Sequence, residues 1–301
     1  MIELPVLSSA ETVKPAHPIA PIARRPEWLK VRVPGAGEYA HVLELVQSKS
    51  LHTVCEEARC PNMAECWAAG TATFMILGDT CTRSCGFCSV KTGKPLSIDW
   101  DEPVHVAEAI RAMKVKHAVI TSVNRDELPD GGASVFAETV RQSRKLNPNT
   151  RIEVLIPDFR GETDALDILL ESEPDILGHN TETVPRLYRT VRPQGRYDWT
   201  LEVLRHSKEK GFRTKTGIML GLGETIDEVE SVMRDLRGVQ CDILTLGQYL
   251  QPTKEHLPVS RFVHPDEFAA LKETGMKMGF SHVESGPLVR SSYHAERAAG
   301  D

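Results

Sequence analysis

The sequence predicts an α/β protein organised on a parallel sheet, and two observations carry that prediction. From Thr71 onward, apolar runs of strand length alternate with amphipathic stretches of helical length. Polar residues also collect directly after the apolar runs, as they do where strand ends form a functional rim. Six strand–helix units in series imply parallel strands joined by right-handed crossovers. Strands as apolar as VLIP, GIMLGL and DILTL suit a sheet covered by helices on one face and filled by side chains on the other. Either a barrel, closed or incomplete, or a doubly wound sheet satisfies this pattern.

The elements follow in order. Residues 1–22, rich in Pro, Ala and small residues, predict an irregular arm. Arg24, Arg25, Lys30 and Arg32 then gather around Trp28, as a solvated run or as a contact for an acidic partner. A short helix is predicted over Glu38–Lys49, with Val42, Leu45 and Val46 on one face. Strands are predicted at Thr73–Leu77, His117–Val123, Ile152–Ile156, Ile176–His179, Thr214–Leu220 and Asp242–Gln248. Helices are predicted between them at Val104–Met113, Ala133–Lys145, Thr163–Glu171, Val184–Thr190, Trp199–Lys210 and Ile226–Arg237. A last helix, Pro265–Met278, precedes the short run His282–Val283. Pro129-Asp130-Gly131-Gly132 is turn chemistry ahead of a helix, and Thr225 with Glu228 makes a capping box.

Composition narrows the function. A formal net charge of −6 argues against a general nucleic-acid binder. No apolar run approaches the ~20 residues that cross a bilayer, so no membrane association is expected. The N-terminus lacks the apolar core of a secretory signal, and its early acidic residues disfavour a transit peptide. A reducing cytoplasm is therefore expected, where clustered cysteines signal metal or catalysis rather than disulfides.

Six of the seven cysteines lie between Cys55 and Cys88. Cys55, Cys60 and Cys66 read C-x4-C-x5-C, and Cys81, Cys85 and Cys88 read C-x3-C-x2-C. The second group can hold three irons of a four-iron cluster and leave the fourth iron open to a substrate. A structural zinc site would need a fourth tight ligand, and the nearest downstream histidine is His105. Cys241 is read as a small buried hydrophobe. Asp126 lies just past a predicted strand end. Glu153, Asn180 and Lys215 fall on or near strands facing the sheet interior, where polar groups must be paired or used. Arg192 and Arg290 suit either a carboxylate of a ligand or a structural ion pair.

The C-x3-C-x-F-C pattern after a first strand resembles the radical S-adenosylmethionine superfamily. That resemblance implies a partial (β/α)6 TIM-type barrel, with N- and C-terminal extensions covering its open end. It also implies a cluster on Cys81, Cys85 and Cys88 whose open iron chelates S-adenosylmethionine and yields a 5′-deoxyadenosyl radical. Phe87 takes the position that packs the adenine in that superfamily. The first cysteine group narrows the likeness: with GDTCTRSCGFC, NRDELPDGG, HNTETV, GLGET, QYLQP and GPLVRSSYHA, it resembles the lipoyl synthases from about Trp28 onward. In that family Cys55, Cys60 and Cys66 would hold an auxiliary cluster consumed as sulfur source. A serine of Arg290-Ser291-Ser292-Tyr293 would be its fourth ligand, Ser292 favoured over Ser291.

The implied cofactors are two 4Fe–4S clusters and S-adenosylmethionine, with Phe87, Asp126, Glu153, Asn180, Arg192 and Lys215 as cofactor-contact candidates. The implied activity is that of a radical sulfurtransferase, adding sulfur at C6 and C8 of a protein-bound octanoyl-lysine. The implied partners are octanoylated lipoyl-domain proteins (2-oxoacid dehydrogenase E2 subunits, glycine cleavage H protein), a one-electron donor such as ferredoxin or flavodoxin, and an iron–sulfur carrier. The implied divisions are an arm (1–22), an auxiliary-cluster extension (23–70), the barrel (71–260) and a C-terminal extension (261–301). A methylthiotransferase would need a further nucleic-acid-binding domain, and a zinc-stapled binding protein would be colourless.

Overall fold

The computed structural model describes residues 25–30, 52–53, 62–68 and 70–298. The arm, the helix predicted at Glu38–Lys49, Arg24, Arg32, Cys55 and Cys60 lie outside the described residues. The described elements run β1 (His52–Thr53), α1 (Met63–Ala68), β2 (Thr71–Ile76), β3 (Thr80–Cys81), β4 (Lys91–Thr92), α2 (Glu102–Ala112), β5 (His117–Ser122), α3 (Ala133–Leu146) and β6 (Arg151–Leu155). They continue with α4 (Thr163–Leu170), β7 (Ile176–Gly178), α5 (Tyr188–Val191), α6 (Tyr197–Glu209), β8 (Thr214–Leu220), α7 (Ile226–Gly238), β9 (Ile243–Gln248), α8 (Pro265–Met278), β10 (His282–Gly286) and α9 (Ala295–Ala298).

One sheet holds the strands in the order β1-β2-β5-β6-β7-β8-β9-β10, and a separate two-strand ladder joins β3 to β4. From β2 to β10 every ladder is parallel, while β1 lies antiparallel on the outer edge of β2. Because spatial order follows chain order without reversal, the doubly wound alternative is excluded, since such a sheet changes direction at a switch point. What remains is a singly wound, partial barrel. Among the described residues no ladder joins β10 back to β1 or β2.

The strands alternate as a barrel wall should. Phe74, Ile76, Ala118, Ile120, Ile152 and Val154 pack into one core with α2, α3 and α4. Leu244, Leu246, Val283 and Leu220 pack into a second core with Val229, Val232, Met233 and Phe268 from α7 and α8. Successive helices lie side by side on this outer layer, α2 against α3, α3 against α4, α4 against α6, and α7 against α8. The intervening positions, among them Thr73, His117, Glu153, Lys215, Gly217 and Thr245, face the concave side.

Local chemistry sets the helix ends. Thr225 and Glu228 close the capping box that starts α7. His264 and Glu267 form a second one at α8, which ends on Gly279 at φ 94°. The Gly131-Gly132 turn before α3 has both residues at positive φ, and a Cβ on Gly132 would come within 2.4 Å of Leu77 Cδ1. Only glycine fits there.

Helix α1 at Met63–Ala68 has no counterpart among the predicted elements, and two further elements differ from the sequence expectation. The run His282–Val283 is the start of a full strand, β10, which pairs with β9 over five residues and makes a seventh parallel strand. Its remaining residues, Glu284-Ser285-Gly286, are polar or bare, so hydrophobic patterning could not reveal them. The helix expected at Val184–Thr190 is a 3-10 turn, Pro185–Leu187, followed by the short α5. Among the described residues no helix is long and apolar enough to cross a membrane.

Candidate active site and the two cysteine groups

The loop that leaves β2 carries Cys81, Cys85 and Cys88, all of them free thiols. Its backbone is pinned at both ends. The N–H of Thr82 donates to Asn124 O after β5 at 3.0 Å, and that of Gly86 donates to Val191 O at 3.0 Å. Leu257 N–H donates to Gly86 O at 2.9 Å. His256 Nε2 donates to Cys88 O at 2.9 Å, and Thr253 Oγ1 donates to His256 Nδ1 at 2.8 Å, which fixes the ring. The loop is thus held by three separate parts of the rim rather than by an apolar core.

The sulfurs sit in contrasting surroundings. Cys81 is buried and accepts backbone N–H bonds from Arg83 at 3.4 Å and Asn124 at 3.3 Å. Cys85 and Cys88 are half-buried. Burial pushes the Cys85 thiol up to about 12; the Arg192 guanidinium opposes that shift, while Cys88, Glu182 and Cys81 add to it. Cys88 and Cys81 both disfavour the Cys85 thiolate, so the three sulfurs form a donor set that a cationic group would relieve. They therefore fit an iron–sulfur cluster. Among the described residues no three Cys, His, Asp or Glu side chains converge as a single-ion site would require. Thiolates on separate irons need no such convergence.

Behind the loop, Arg192 Nη1 donates to Asn180 O at 2.8 Å, and its Nη2 lies 3.6 Å from Asp158 Oδ2. Glu182 joins this group, accepting a hydrogen bond from Asn180; burial pushes its carboxyl up, with Arg192 pulling it back. Glu182 stands at φ 69°, a left-handed backbone held by its bridge to Ile218. Gly217 leaves room beside it: a Cβ there would meet Thr245 Oγ1 at 2.7 Å and Asn180 Oδ1 at 2.9 Å. Phe87 is half-buried in the loop. Asn180, Arg192 and the cysteines thus gather at one rim.

Three other candidates are placed differently. Asp126 gives its carboxylate to Arg83 and Thr82 rather than to open space. Glu153 and Lys215 meet at 2.8 Å, both buried, and His117 Nε2 lies 3.1 Å from the same carboxylate. These residues come from β5, β6 and β8, and β7 separates β6 from β8. The contact forms across the concave face of the sheet.

The other cysteine group is visible through Cys66, on α1. Cys66 and Ser292 line one small pocket with Asn62, Met63, Thr71, Thr73, Arg290 and Tyr293; Ser291 does not line it. Thr71 and Thr73 belong to β2 at one edge of the sheet. Arg290 Nη1 donates to Gln248 O, at the end of β9, at 3.3 Å. Chain segments from both ends of the sequence therefore meet at the open seam.

Family comparison agrees with this geometry. The radical SAM superfamily model matches residues 75–236, and the model for the N-terminal domain of lipoyl synthase matches residues 16–60. A lipoyl synthase of Rubrobacter xylanophilus is 59% identical over 279 residues, covering 92% of this chain and 87% of that protein. The chain belongs to the lipoyl synthase family. A mitochondrial lipoyl synthase of Nematostella vectensis is 56% identical, covering 91% of this chain and 94% of its own length. Solved structures share the fold at low identity. Streptococcus suis SuiB bound to S-adenosylmethionine aligns at TM-score 0.58 with 10% identity, covering 74% of this chain and 53% of that one. The hydrogenase maturase HydG of Carboxydothermus hydrogenoformans aligns at TM-score 0.55 with 15% identity, covering 87% and 77%.

As a member of the lipoyl synthase family, the chain is a radical S-adenosylmethionine enzyme that works with 4Fe–4S clusters and transfers sulfur. Four residues packed around the rim loop, Arg83, Asp158, Glu182 and His256, were not among the sequence candidates for cofactor contact. Glu182 was in reach, because it stands two residues after Asn180 in HNTETV. The pairing of Arg83 with Asp158 was not, since 75 residues separate them.

Proposed function

We propose that the chain inserts sulfur at C6 and C8 of an octanoyl chain carried on a lysine of a lipoyl-domain protein. The observation that carries this reading is the presence of two distinct cysteine groups on one partial barrel. Cys81, Cys85 and Cys88 sit on the rim loop, and Cys66 sits with Ser292 at the seam. Cys81, Cys85 and Cys88 hold one 4Fe–4S cluster; Cys55, Cys60, Cys66 and Ser292 hold the other. When bound, the first cluster and S-adenosylmethionine supply a carbon-centred radical, and the second cluster supplies sulfide.

The chain's own residues do the positioning. Asn180, Glu182 and Arg192 present one amide, one carboxylate and one guanidinium beside Cys85, a set that complements the amino and carboxylate ends of an amino acid. Phe87 offers an aromatic face between two cysteines. Asp126 acts through Arg83. Glu153 and Lys215 neutralise each other inside the barrel. Ser292 brings an alkoxide donor, harder and more weakly held by iron than a thiolate, so it is the ligand that can leave. An incomplete wall matters for the substrate: a chain tethered to another protein enters sideways.

The octanoyl carriers on this reading are E2 subunits of 2-oxoacid dehydrogenases and the glycine cleavage H protein, in the cytoplasm. A ferredoxin or flavodoxin supplies electrons, and an iron–sulfur carrier rebuilds the auxiliary cluster.

The test is anaerobic iron and sulfide content with a visible spectrum, followed by mass analysis of an octanoylated lipoyl domain. About eight irons should fall to about four in the Cys81/Cys85/Cys88→Ala variant, and likewise in Cys55/Cys60/Cys66→Ala, each remaining brown. Octanoyl domain gaining two sulfurs only with the wild-type chain completes the case. Stoichiometric zinc in a colourless protein would overturn it.

A further inference from the structure

Arg83 lies between the first two cysteines of the rim loop, and its guanidinium is saturated by carboxylates. Nε and Nη2 donate to Asp126 at 2.7 Å each, and Nη1 and Nη2 donate to Asp158 at 2.7 Å each. The Arg83 side chain is 3% exposed, that of Asp158 0% and that of Asp126 29%. Asp126 follows β5 and Asp158 follows β6, so one side chain ties the loop to two adjacent strand ends. Arg192, 3.6 Å from Asp158, brings the group to two cations and two anions. Such buried, bidentate bonding is far more directional than a surface ion pair.

The consequence falls on Cys81. The two N–H groups that point at its sulfur come from Arg83 and from Asn124. Both belong to backbone that the Arg83–Asp126 bridge holds together, with Thr82 Oγ1 also bonding Asn124 O at 3.0 Å and Asp126 Oδ2 at 3.1 Å. Hydrogen bonds to cluster sulfurs raise a reduction potential, because they stabilise the more negative, reduced form. A lysine at position 83 would keep the charge, yet one ammonium cannot span two carboxylates as a planar fork does.

We infer that Arg83 is a positioning residue that aims two backbone N–H groups at Cys81 and thereby sets the reduction potential of the rim cluster. This rests on the assignment of Cys81, Cys85 and Cys88 to that cluster.

The test uses the full chain in a Cys55/Cys60/Cys66→Ala background, where the rim cluster is measured alone. Reduction potentials are read by spin-resonance-monitored titration in the parent, Arg83→Lys, Asp126→Asn and Ser84→Ala. The expected result is a shift to more negative potential in Arg83→Lys and a smaller shift of the same sign in Asp126→Asn. Ser84→Ala, at an exposed neighbour in the same loop, should leave the potential unchanged. If Arg83→Lys fails to load iron, Asp126→Asn carries the test. Potentials equal to the parent in both variants, with about four irons retained, would overturn the inference and leave the cluster assignment standing. A parent that loads no rim cluster would instead overturn the assignment beneath it.

Discussion

The Tyr293 hydroxyl donates to Glu65 Oε1 at 3.1 Å, a bond between residues 228 positions apart. Glu65 precedes Cys66 and Tyr293 follows Ser292, so this single contact sets side by side the helix and the segment that carry those two residues. Its neighbours reinforce it. Asn62 Nδ2 donates to Leu288 O at 2.6 Å, Thr71 Oγ1 to Glu296 Oε2 at 2.8 Å, and His294 Nε2 lies 3.1 Å from the same Glu65 oxygen. Burial, with the Glu65 carboxylate beside it, pushes the Tyr293 phenol up to about 12, so it remains a donor across the physiological range.

Tyr293→Phe removes this donor without changing the ring. At a partly exposed site the cost to global stability should be small, on the order of 0.5–1 kcal/mol. The local effect should be larger: amide hydrogen exchange across 286–294 should speed up. Iron at the seam should fall while iron at the rim stays. Unchanged exchange across that segment would show that the Tyr293–Glu65 bond does not hold it.

Gly247 tests the same region from the barrel side. A Cβ on Gly247 would come within 2.1 Å of Val289 O, a backbone atom that cannot swing aside. Gly247→Ala should push the C-terminal extension off β9, costing about 1–3 kcal/mol as overpacking does. Partial proteolysis after β9 should release the C-terminal piece in the variant and leave the wild-type chain whole. Gly86→Ala, whose nearest new contacts are the side-chain atoms of Leu257 at 2.8 and 2.9 Å, should be milder in denaturant melts.

The Glu153–Lys215 pair predicts a stability pattern. Lys215→Met leaves a buried carboxylate with only His117 and should cost about 3–5 kcal/mol, whereas Glu153→Leu with Lys215→Met should recover much of that loss. Urea melts of the single and double variants decide this. The pH dependence follows from the lowered Glu153 carboxyl: burial opposes ionisation, but Lys215 and His117 outweigh it. Asp158 is lowered too, with burial again opposing and Arg83 prevailing. A carboxyl depressed in the folded state stabilises above its ordinary value of about 4 and loses that contribution as pH falls toward its folded value. Wild-type stability should therefore drop steeply below about pH 4, and less steeply in the double variant.

Arg192→Lys keeps a cation near Cys85 but loses the fork that spans Asn180 O and Asp158. S-adenosylmethionine should bind about tenfold more weakly to the cluster-loaded variant, about 1.4 kcal/mol by equilibrium binding. Equal affinity would place Arg192 outside the cofactor contacts.

Much of the frame was legible in the chain itself. Strand Thr214–Leu220 and helix Pro265–Met278 have the bounds that patterning predicts, and the Thr225–Glu228 capping box forms as read. Such features depend on neighbours within a few residues. The spacing of Cys81, Cys85 and Cys88 was likewise local, and so was their position after a strand.

Pairing across the barrel was not legible. Glu153 is a buried carboxylate whose sequence position says only that it needs a partner; that the partner is Lys215, 62 residues on, depends on strand order. Asp126 follows a strand end and looked free for a ligand, yet Arg83 occupies it from 43 residues away. The sequence by itself determined the elements, their parallel order and the cysteine spacing, because periodicity, capping and ligand spacing act over one or two turns of chain. Only the tertiary structure decided which charges neutralise each other, which serine shares a pocket with Cys66, and which side chains remain at the rim. Those outcomes depend on which distant segments the curved sheet brings within hydrogen-bond reach.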